Sequence, residues 1–263
     1  MGEHATPVMV DDEPPTVRPP GHVVVVMPAR NAGRTLARTV ASIPTDWVDE
    51  VLLVDDKSTD DTLDVARGLP LHVVWHPHNV GYGGNQKTCY LEALQRHADA
   101  VVMLHPDGQY EPELIPRLVA PILEGRADLV LGSRMAEPGM AKRGGMPRYK
   151  RIANKALTGL ENAALGTSFT EMHTGYRAYS RHLLMTVPFL RNSLDFVFDS
   201  ELLLQAVHWD LKILEVPAQS WYTDDASSIG LKPASVYALK TLAAVARLKA
   251  HQAGVRRNRM FQP

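Results

Sequence analysis

Two short constellations in this chain could carry chemistry. In the first, VVMLHPDGQY, Asp107 and Gln109 stand two residues apart just past the apolar run Val101–Leu104, with His105 between the run and the carboxylate. A carboxylate and a side-chain amide at that spacing offer hard oxygen donors, which suit a divalent cation carrying phosphates. An ordinary Pro-Asp-Gly turn without a ligand has the same composition, so the spacing alone leaves both readings open. In the second, Asp55 and Asp56 close the apolar run Val51–Val54 and lead into KSTDDT. Both sets follow buried strands, and open α/β folds bind ligands at the carboxyl edge of the sheet.

The elements that must position these residues alternate in type. Val23–Met27, Val51–Val54, Leu71–Trp75, Val101–Leu104, Leu129–Leu131 and Lys212–Val216 read as strands buried on both faces of a parallel sheet. Helices are expected at Thr35–Ile43, from about Asp60 with Ser58 or Thr59 as cap, from Gly81–Gly84 through Leu94, at Glu113–Leu123, Lys150–Leu165, Arg181–Thr186 and Phe198–His208. Strand, turn and helix in this order give an α/β architecture with a mostly parallel central sheet flanked by helices and right-handed crossovers. Gly81, Gly83 and Gly84 read as close packing at a helix start rather than a phosphate cradle. Residues 136–149, rich in Gly, Pro and charge, are expected to form a long mobile loop with a functional role.

Three segments follow from composition. Residues 1–20, rich in Pro and acids, are expected as a disordered lead-in, residues 21–230 as the folded domain and residues 231–263 as a basic helical tail. In the tail, Ser235–Lys249 sets Leu239, Leu242, Ala243 and Ala246 at helical spacing with Lys240, Arg247 and Lys249 alongside. Such a basic amphipathic helix either packs on the sheet or docks peripherally on a membrane. The net charge of −1 argues against nucleic acid as the main partner, and the 45% apolar content supplies a sizeable core. A single cysteine, Cys89, excludes an internal disulfide and a cysteine-based zinc site and points to a cytoplasmic location; within its helix it reads as a buried small residue. No apolar run reaches the roughly 18 residues of a membrane span.

The order of the motifs is more specific than any one of them. VDDKSTDDT resembles the VDDxSxDxT signature of family 2 glycosyltransferases, and PARN, NVGYGGN (79–85), LHPDGQY (104–110), LGSR (131–134), HTGYRAY (173–179), FDSE (198–201) and EVP (215–217) stand around it in the family's order. The resemblance covers Val23 to Ile229 and is nearest to the dolichyl- or polyprenyl-phosphate sugar synthase branch. It implies a GT-A fold and an inverting transfer of a sugar, a hexose in particular, from a nucleoside-diphosphate sugar to an acceptor such as a lipid phosphate. It further implies that Pro28, Ala29, Asn31 and Asp55 hold the nucleoside, that Asp56 reaches the ribose, and that Asp107 with Gln109 binds a divalent cation, Mg2+ or Mn2+. Two positions depart from the pattern: His105 stands where the Asp-x-Asp metal motif has its first carboxylate, and Ala32 where an acid often follows PxxN. His105 as a ligand would move the preference from magnesium towards manganese.

The remaining candidates have two readings each. Arg134, Arg148 and Arg177 could grip phosphate through planar guanidinium groups, or form surface salt bridges. Asp56 could brace a loop instead of meeting the ribose. Asp199 and Glu201 could supply the base that a hydroxyl acceptor needs, or complement a helix dipole; an ionised lipid phosphate needs no base. His173 reads as structural or acceptor-side. Two other classes compete: a sugar-phosphate nucleotidyltransferase, whose Gly-rich loop PARNAGRT matches poorly, and a degenerate transferase that only binds a nucleotide-sugar or glycan.

Overall fold

The computed structural model describes residues 7–10, 13–222 and 231–262, with side chains from 234 onward in the last segment. Eight described strands form one sheet: β1 (Val8–Met9), β2 (Val23–Ala29), β3 (Glu50–Asp55), β4 (His72–Trp75), β5 (Ala100–Met103), β6 (Leu129–Ser133), β7 (Arg177–Ser180) and β8 (Ile213–Pro217). Their order across the sheet is β1-β8-β6-β7-β5-β2-β3-β4. All pairings are parallel except those of β7, which runs antiparallel between β5 and β6. The mostly parallel sheet agrees with the sequence. The antiparallel strand was missed because RAYS is no apolar run and begins on an arginine.

The helices are α1 (Gly33–Ala41), α2 (Thr62–Arg67), α3 (Tyr82–Gln95), α4 (Ile115–Leu123), α5 (Met140–Arg143), α6 (Arg148–Leu165), α7 (Arg181–Thr186), α8 (Phe198–His208) and α9 (Leu231–Gln252). Alternate residues of β2 divide the core. Val24 and Val26 face Cys89, Tyr90, Phe198 and Leu248, whereas Val23, Val25 and Met27 face Leu36, Val40, Leu118 and Val119. Both faces are thus covered by helices, which is why the parallel strands are apolar throughout.

Several local expectations need correction. The lead-in contributes β1, which pairs with β8 at the sheet edge through Val8↔Leu214 and Met9↔Glu215; residues 1–6, 11 and 12 lie outside the described residues. The segment 136–149 is not a bare loop, since it contains α5 and buries Met140, Ala141 and Met146. Neither Ser58 nor Thr59 caps α2, whose N-cap is Asp61; both instead tie down the preceding strand-end loop. The expected end of the folded domain, near 230, and Ile229 fall at 223–230, outside the described residues. Cys89 is buried as expected, and burial pushes its thiol well above the ordinary value, which keeps it inert.

The NVGYGGN glycines serve packing. A Cβ on Gly83 would come 2.4 Å from Ser193 O and 2.9 Å from Phe198 Cβ, so α3 can approach the turn before α8 only without a side chain there. Gly83→Ala in an exposed helix interior would stabilise by about 1 kcal/mol. Here it is expected to destabilise by about 1–3 kcal/mol through overpacking, read as a lowered midpoint in urea unfolding with an unchanged slope.

Candidate active site

The carboxyl ends of β2, β3, β5 and β6 lie at one edge of the sheet, in register from Val24↔Glu50 to Ala29↔Asp55 between β2 and β3. Because β7 runs the other way, its first residue, Arg177, arrives at that same edge, opposite Met103 of β5 and Leu131 of β6. A cavity of about 900 Å3 opens there, and its walls include Pro28, Ala29, Asp56, His105, Asp107, Gln109, Arg134, Arg177 and Asp199. Side chains separated by up to 171 positions are thereby brought to one space.

The nucleoside candidates divide. Pro28 and Ala29 line the cavity directly. Asn31, held at positive φ, uses its side-chain oxygen to accept from Thr59 N at 2.8 Å, while its own N–H donates to Ser58 Oγ at 2.8 Å. It therefore clasps the two strand-end loops together and does not line the cavity. Asp55 Oδ2 accepts from Ser58 N at 2.9 Å, but its buried Oδ1 has no hydrogen-bond partner among the described residues. A buried unsatisfied carboxylate oxygen is costly and suits a donor from a bound group, although Asp55 itself lies behind Ala29 and Asp56 and is not part of the cavity wall. Asp56 is the opposite case: Oδ1 accepts from Val80 N and lies 3.3 Å from His76 Nδ1, and Oδ2 accepts from Asn79 Nδ2 and Gly81 N. Both oxygens brace the 76–81 loop, so direct ribose contact gives way to the loop-bracing role.

At the middle of the cavity Asp107 and Gln109 share the β5 turn, with Asp107 Oδ1 accepting from Gln109 N at 3.0 Å. Among the described residues no group of three or more His, Cys, Asp or Glu stands ready to hold a metal. The hard oxygens of Asp107 and Gln109 nevertheless fit a cation whose other ligands come from a diphosphate or water. His105 belongs to a relay. Asp199 Oδ2 accepts from the Tyr82 hydroxyl at 2.7 Å, Asp199 Oδ1 accepts from Gln86 Nε2 at 3.0 Å, and Tyr82 Oη lies 3.1 Å from His105 Nε2. A phenol has one proton; with that proton donated to a carboxylate, Nε2 must donate to Oη. The ring of Tyr82 stacks on His105 with centroids 5.6 Å apart, and burial, then Asp199, raise the phenol well above its usual value, which keeps it protonated.

The cationic candidates are redistributed. Arg134 is gripped by the fully buried Glu171 through Nε at 2.9 Å and through Nη2, and it also donates to His173 O and Tyr222 Oη. It lines the cavity as half of a buried ion pair, not as a free phosphate ligand. Arg177 is fully buried and donates to Thr174 O, Asp199 O and Met172 O at 2.7–3.0 Å. Arg148 does not line the cavity; two residues on, Lys150 does, with its ammonium 5.7 Å from the Tyr222 ring centroid. Partial burial, then the charge of Arg134, pulls the Lys150 ammonium below its ordinary value. Glu201, the second base candidate, is withdrawn altogether: it accepts from Ser193 N at 2.6 Å and Ser193 Oγ at 3.0 Å and does not line the cavity. His173 does line it, bonded to Tyr237 Oη at 2.9 Å, with Nε2 2.9 Å from Glu161 Oε2 at an ion-pair distance without hydrogen-bond geometry.

Sequence reasoning missed Tyr82, Lys150 and Glu171. Tyr82 lay inside a motif read for its glycines. Lys150 sat at a helix start among other cations, and Glu171, three residues before Thr174, follows a stretch without pattern.

A family model described as glycosyl transferase family 2 matches residues 24–187, more than half of the chain. An undecaprenyl-phosphate mannosyltransferase of Micrococcus luteus is 30% identical over 203 residues, covering 74% of this chain and 82% of its own length. A UDP-N-acetylglucosamine–dolichyl-phosphate N-acetylglucosaminyltransferase of Methanococcus voltae is 26% identical over 219 residues, covering 77% and 86%. Among solved structures, glucosyl-3-phosphoglycerate synthase of Mycobacterium tuberculosis shares the fold. Its complex with Mn2+, uridine diphosphate and phosphoglyceric acid aligns at a TM-score of 0.63 and 22% identity, covering 87% of this chain and 78% of that one. Its complex with Mg2+ and uridine diphosphate aligns at 0.65 and 22%, covering 90% and 80%.

Glu171 gives this site a measurable signature. Burial alone would raise its carboxyl, but Arg134, through charge and hydrogen bonds, and Asn154 hold it below the ordinary glutamate value. A folded value below the unfolded one means the pair's contribution is complete at neutral pH and is lost as pH falls below about 4. Glu171→Gln is expected to cost about 3–5 kcal/mol at pH 7, because Arg134 is left buried and unpaired. Measured by chemical unfolding, the gap between the two proteins should narrow towards pH 3; a pH-independent gap would contradict the ion-pair account.

Proposed function

The chain belongs to glycosyl transferase family 2, and on that premise we propose that it moves a hexose, with inversion, from a nucleoside-diphosphate sugar to an acceptor that is itself a phosphate, carried on a polyprenyl lipid. The observation that carries this reading is the state of Asp199. Of Asp199 and Glu201 it is the one that lines the cavity, and its two oxygens already accept from Tyr82 and Gln86. A carboxylate so engaged serves better to position than to take a proton. An acceptor that arrives ionised needs none taken, and Lys150 on the cavity wall supplies positive charge for it. The names of the relatives from Micrococcus luteus and Methanococcus voltae, both acting on lipid phosphates, support the same class of acceptor.

In this mechanism the nucleoside lies against Pro28 and Ala29, and the unpartnered oxygen of Asp55 accepts a hydrogen bond from it. The acceptor phosphate oxygen forms its bond to the anomeric carbon as the bond from that carbon to the diphosphate oxygen breaks, with the electron pair leaving on the diphosphate. No proton moves and no sugar–enzyme bond forms. Asp107 and Gln109 would hold a divalent cation, Mg2+ or Mn2+, which would supply charge neutralisation for the diphosphate. The complexes of glucosyl-3-phosphoglycerate synthase with either ion and uridine diphosphate support that choice for the fold. Asp199, through Tyr82, fixes His105 beside Asp107 and Gln109.

Asp107→Asn is expected to lower turnover by roughly two orders of magnitude without unfolding the protein. Asp199→Asn should cost less than about tenfold with a phosphate acceptor; a loss of 100-fold or more would identify a general base and overturn the phosphate reading. Transfer is followed with radiolabelled nucleotide-sugars and a short-chain polyprenyl phosphate. A protein that is stabilised thermally by nucleotide-sugars yet never transfers would be a binding protein only.

The departure at His105 makes a separate prediction about metal choice. Imidazole nitrogen is better tolerated by manganese than by magnesium. His105→Asp should therefore raise activity with Mg2+ relative to Mn2+, and metal titration of uridine-diphosphate binding should shift in the same direction. An unchanged metal ratio in both readouts would leave His105 as a neighbour of the ion rather than a ligand.

A further inference from the structure

Helices α6 and α9 both contribute to the cavity wall, through Tyr149, Ala153 and Leu157 on one and Tyr237 and Ala238 on the other, and they pack against each other. Each turns a stripe of apolar side chains outward. On α6, Tyr149, Ile152, Ala153, Ala156, Leu160 and Ala163 recur at helical spacing and are all exposed, Ile152 to 60% and Leu160 to 58%. On α9 the face that packs inward is Thr241, Ala244, Val245 and Leu248, so the stripe Val236, Leu239, Leu242, Ala243 and Ala246 faces out, with Leu239 exposed to 69%.

Isolated exposed apolar residues are normal, but two helical stripes that converge on one cavity are not. The exposed charges on the two helices themselves have one sign, although Lys240 is paired to Asp195 and Arg247 stands 3.8 Å from Glu201. Glu161, the one acid in either helix, is buried, whereas Arg148, Lys155, Lys240, Arg247 and Lys249 are exposed. The apolar surface is also continuous with the cavity, since Tyr149 and Ala153 belong to both, and the exposed Leu194 and Phe196 line the cavity too. No helix among the described residues is long and apolar enough to cross a membrane.

We infer that α6 and α9 together form a docking face for an anionic lipid bilayer. The apolar stripes enter the headgroup boundary, the flanking Arg148, Lys155 and Lys249 meet lipid phosphates, and the cavity opens towards the membrane surface. Apolar side chains beside lysine and arginine are what an interfacial helix requires, and a protein partner of matched surface would not select one sign of charge along both helices. The inference rests on the lipid-phosphate reading of the acceptor only for its purpose; binding to lipid is measured without any transfer.

The test is co-flotation of the whole protein with phosphatidylcholine vesicles, with and without one third phosphatidylglycerol. Binding is expected to the anionic vesicles, to fall with salt, and to weaken roughly fivefold for each of Lys155→Gln and Lys249→Gln. The triple variant Ile152→Gln/Leu160→Gln/Leu239→Gln should lose flotation by about tenfold or more. Its substituted side chains are exposed and lie outside the cavity wall, so its melting temperature and its transfer to a water-soluble phosphate acceptor should match the wild type. Absence of flotation in the wild type, or undiminished flotation of the triple variant, overturns the inference. So does concentration-dependent self-association that the triple variant abolishes while vesicle binding persists, which would assign the face to a second copy. Flotation without any transfer would sink the proposed function and leave the docking face standing.

Discussion

A guanidinium with no exposed surface sits between the two halves of the sheet, and much of the cavity is arranged around it. Arg177 begins the antiparallel strand, and its three kinds of nitrogen donate to the carbonyls of Thr174, Asp199 and Met172. A buried charge must be hydrogen-bonded, so the 172–174 turn and the start of α8 cannot move independently of it. Once the backbone of Asp199 is fixed, its carboxylate is placed to receive Tyr82 from α3, and Tyr82 in turn fixes His105 beyond β5. Four elements distant in the chain are thereby referred to a single cation.

Carboxylates do the same work at the periphery. Asp56 gathers the 76–81 loop, Asp60 accepts from Gly33 and Thr62, Glu171 holds Arg134, Glu201 holds Ser193, and Glu215 receives Thr170 and Glu171 backbone N–H groups. Loops that close a cavity have few strand or helix partners for their backbone, and buried acceptors supply them. The consequence for function is a division of labour among side chains of one type. Most acids at this edge of the sheet are struts, and one oxygen of the buried Asp55 is left without a partner among the described residues.

The amphipathic helices show the same separation of packing from function. In α9 Thr241, Ala244, Val245 and Leu248 turn inward, while Val236, Leu239 and Leu242 turn out. A helix with apolar side chains on both faces packs on the core with one and presents the other outward.

Much was legible in the sequence because it depends on local pattern. Apolar runs ending in Asp, Pro or Gly marked the parallel strands and hence the ligand-binding edge, since burial on both faces forces continuous hydrophobicity. The ordered motifs carried the family. What the sequence could not decide was which polar residue is free to react. Arg134, Asp56, Asn31 and Glu201 have the types that bind phosphate, ribose or protons, yet each is engaged by a partner 8 to 37 positions away. Lys150 and Tyr82 lay in plain view but gained meaning only from neighbours that the fold brings to them. A hydrogen bond between residues distant in the chain leaves no periodicity behind, so side-chain availability was settled by tertiary structure alone.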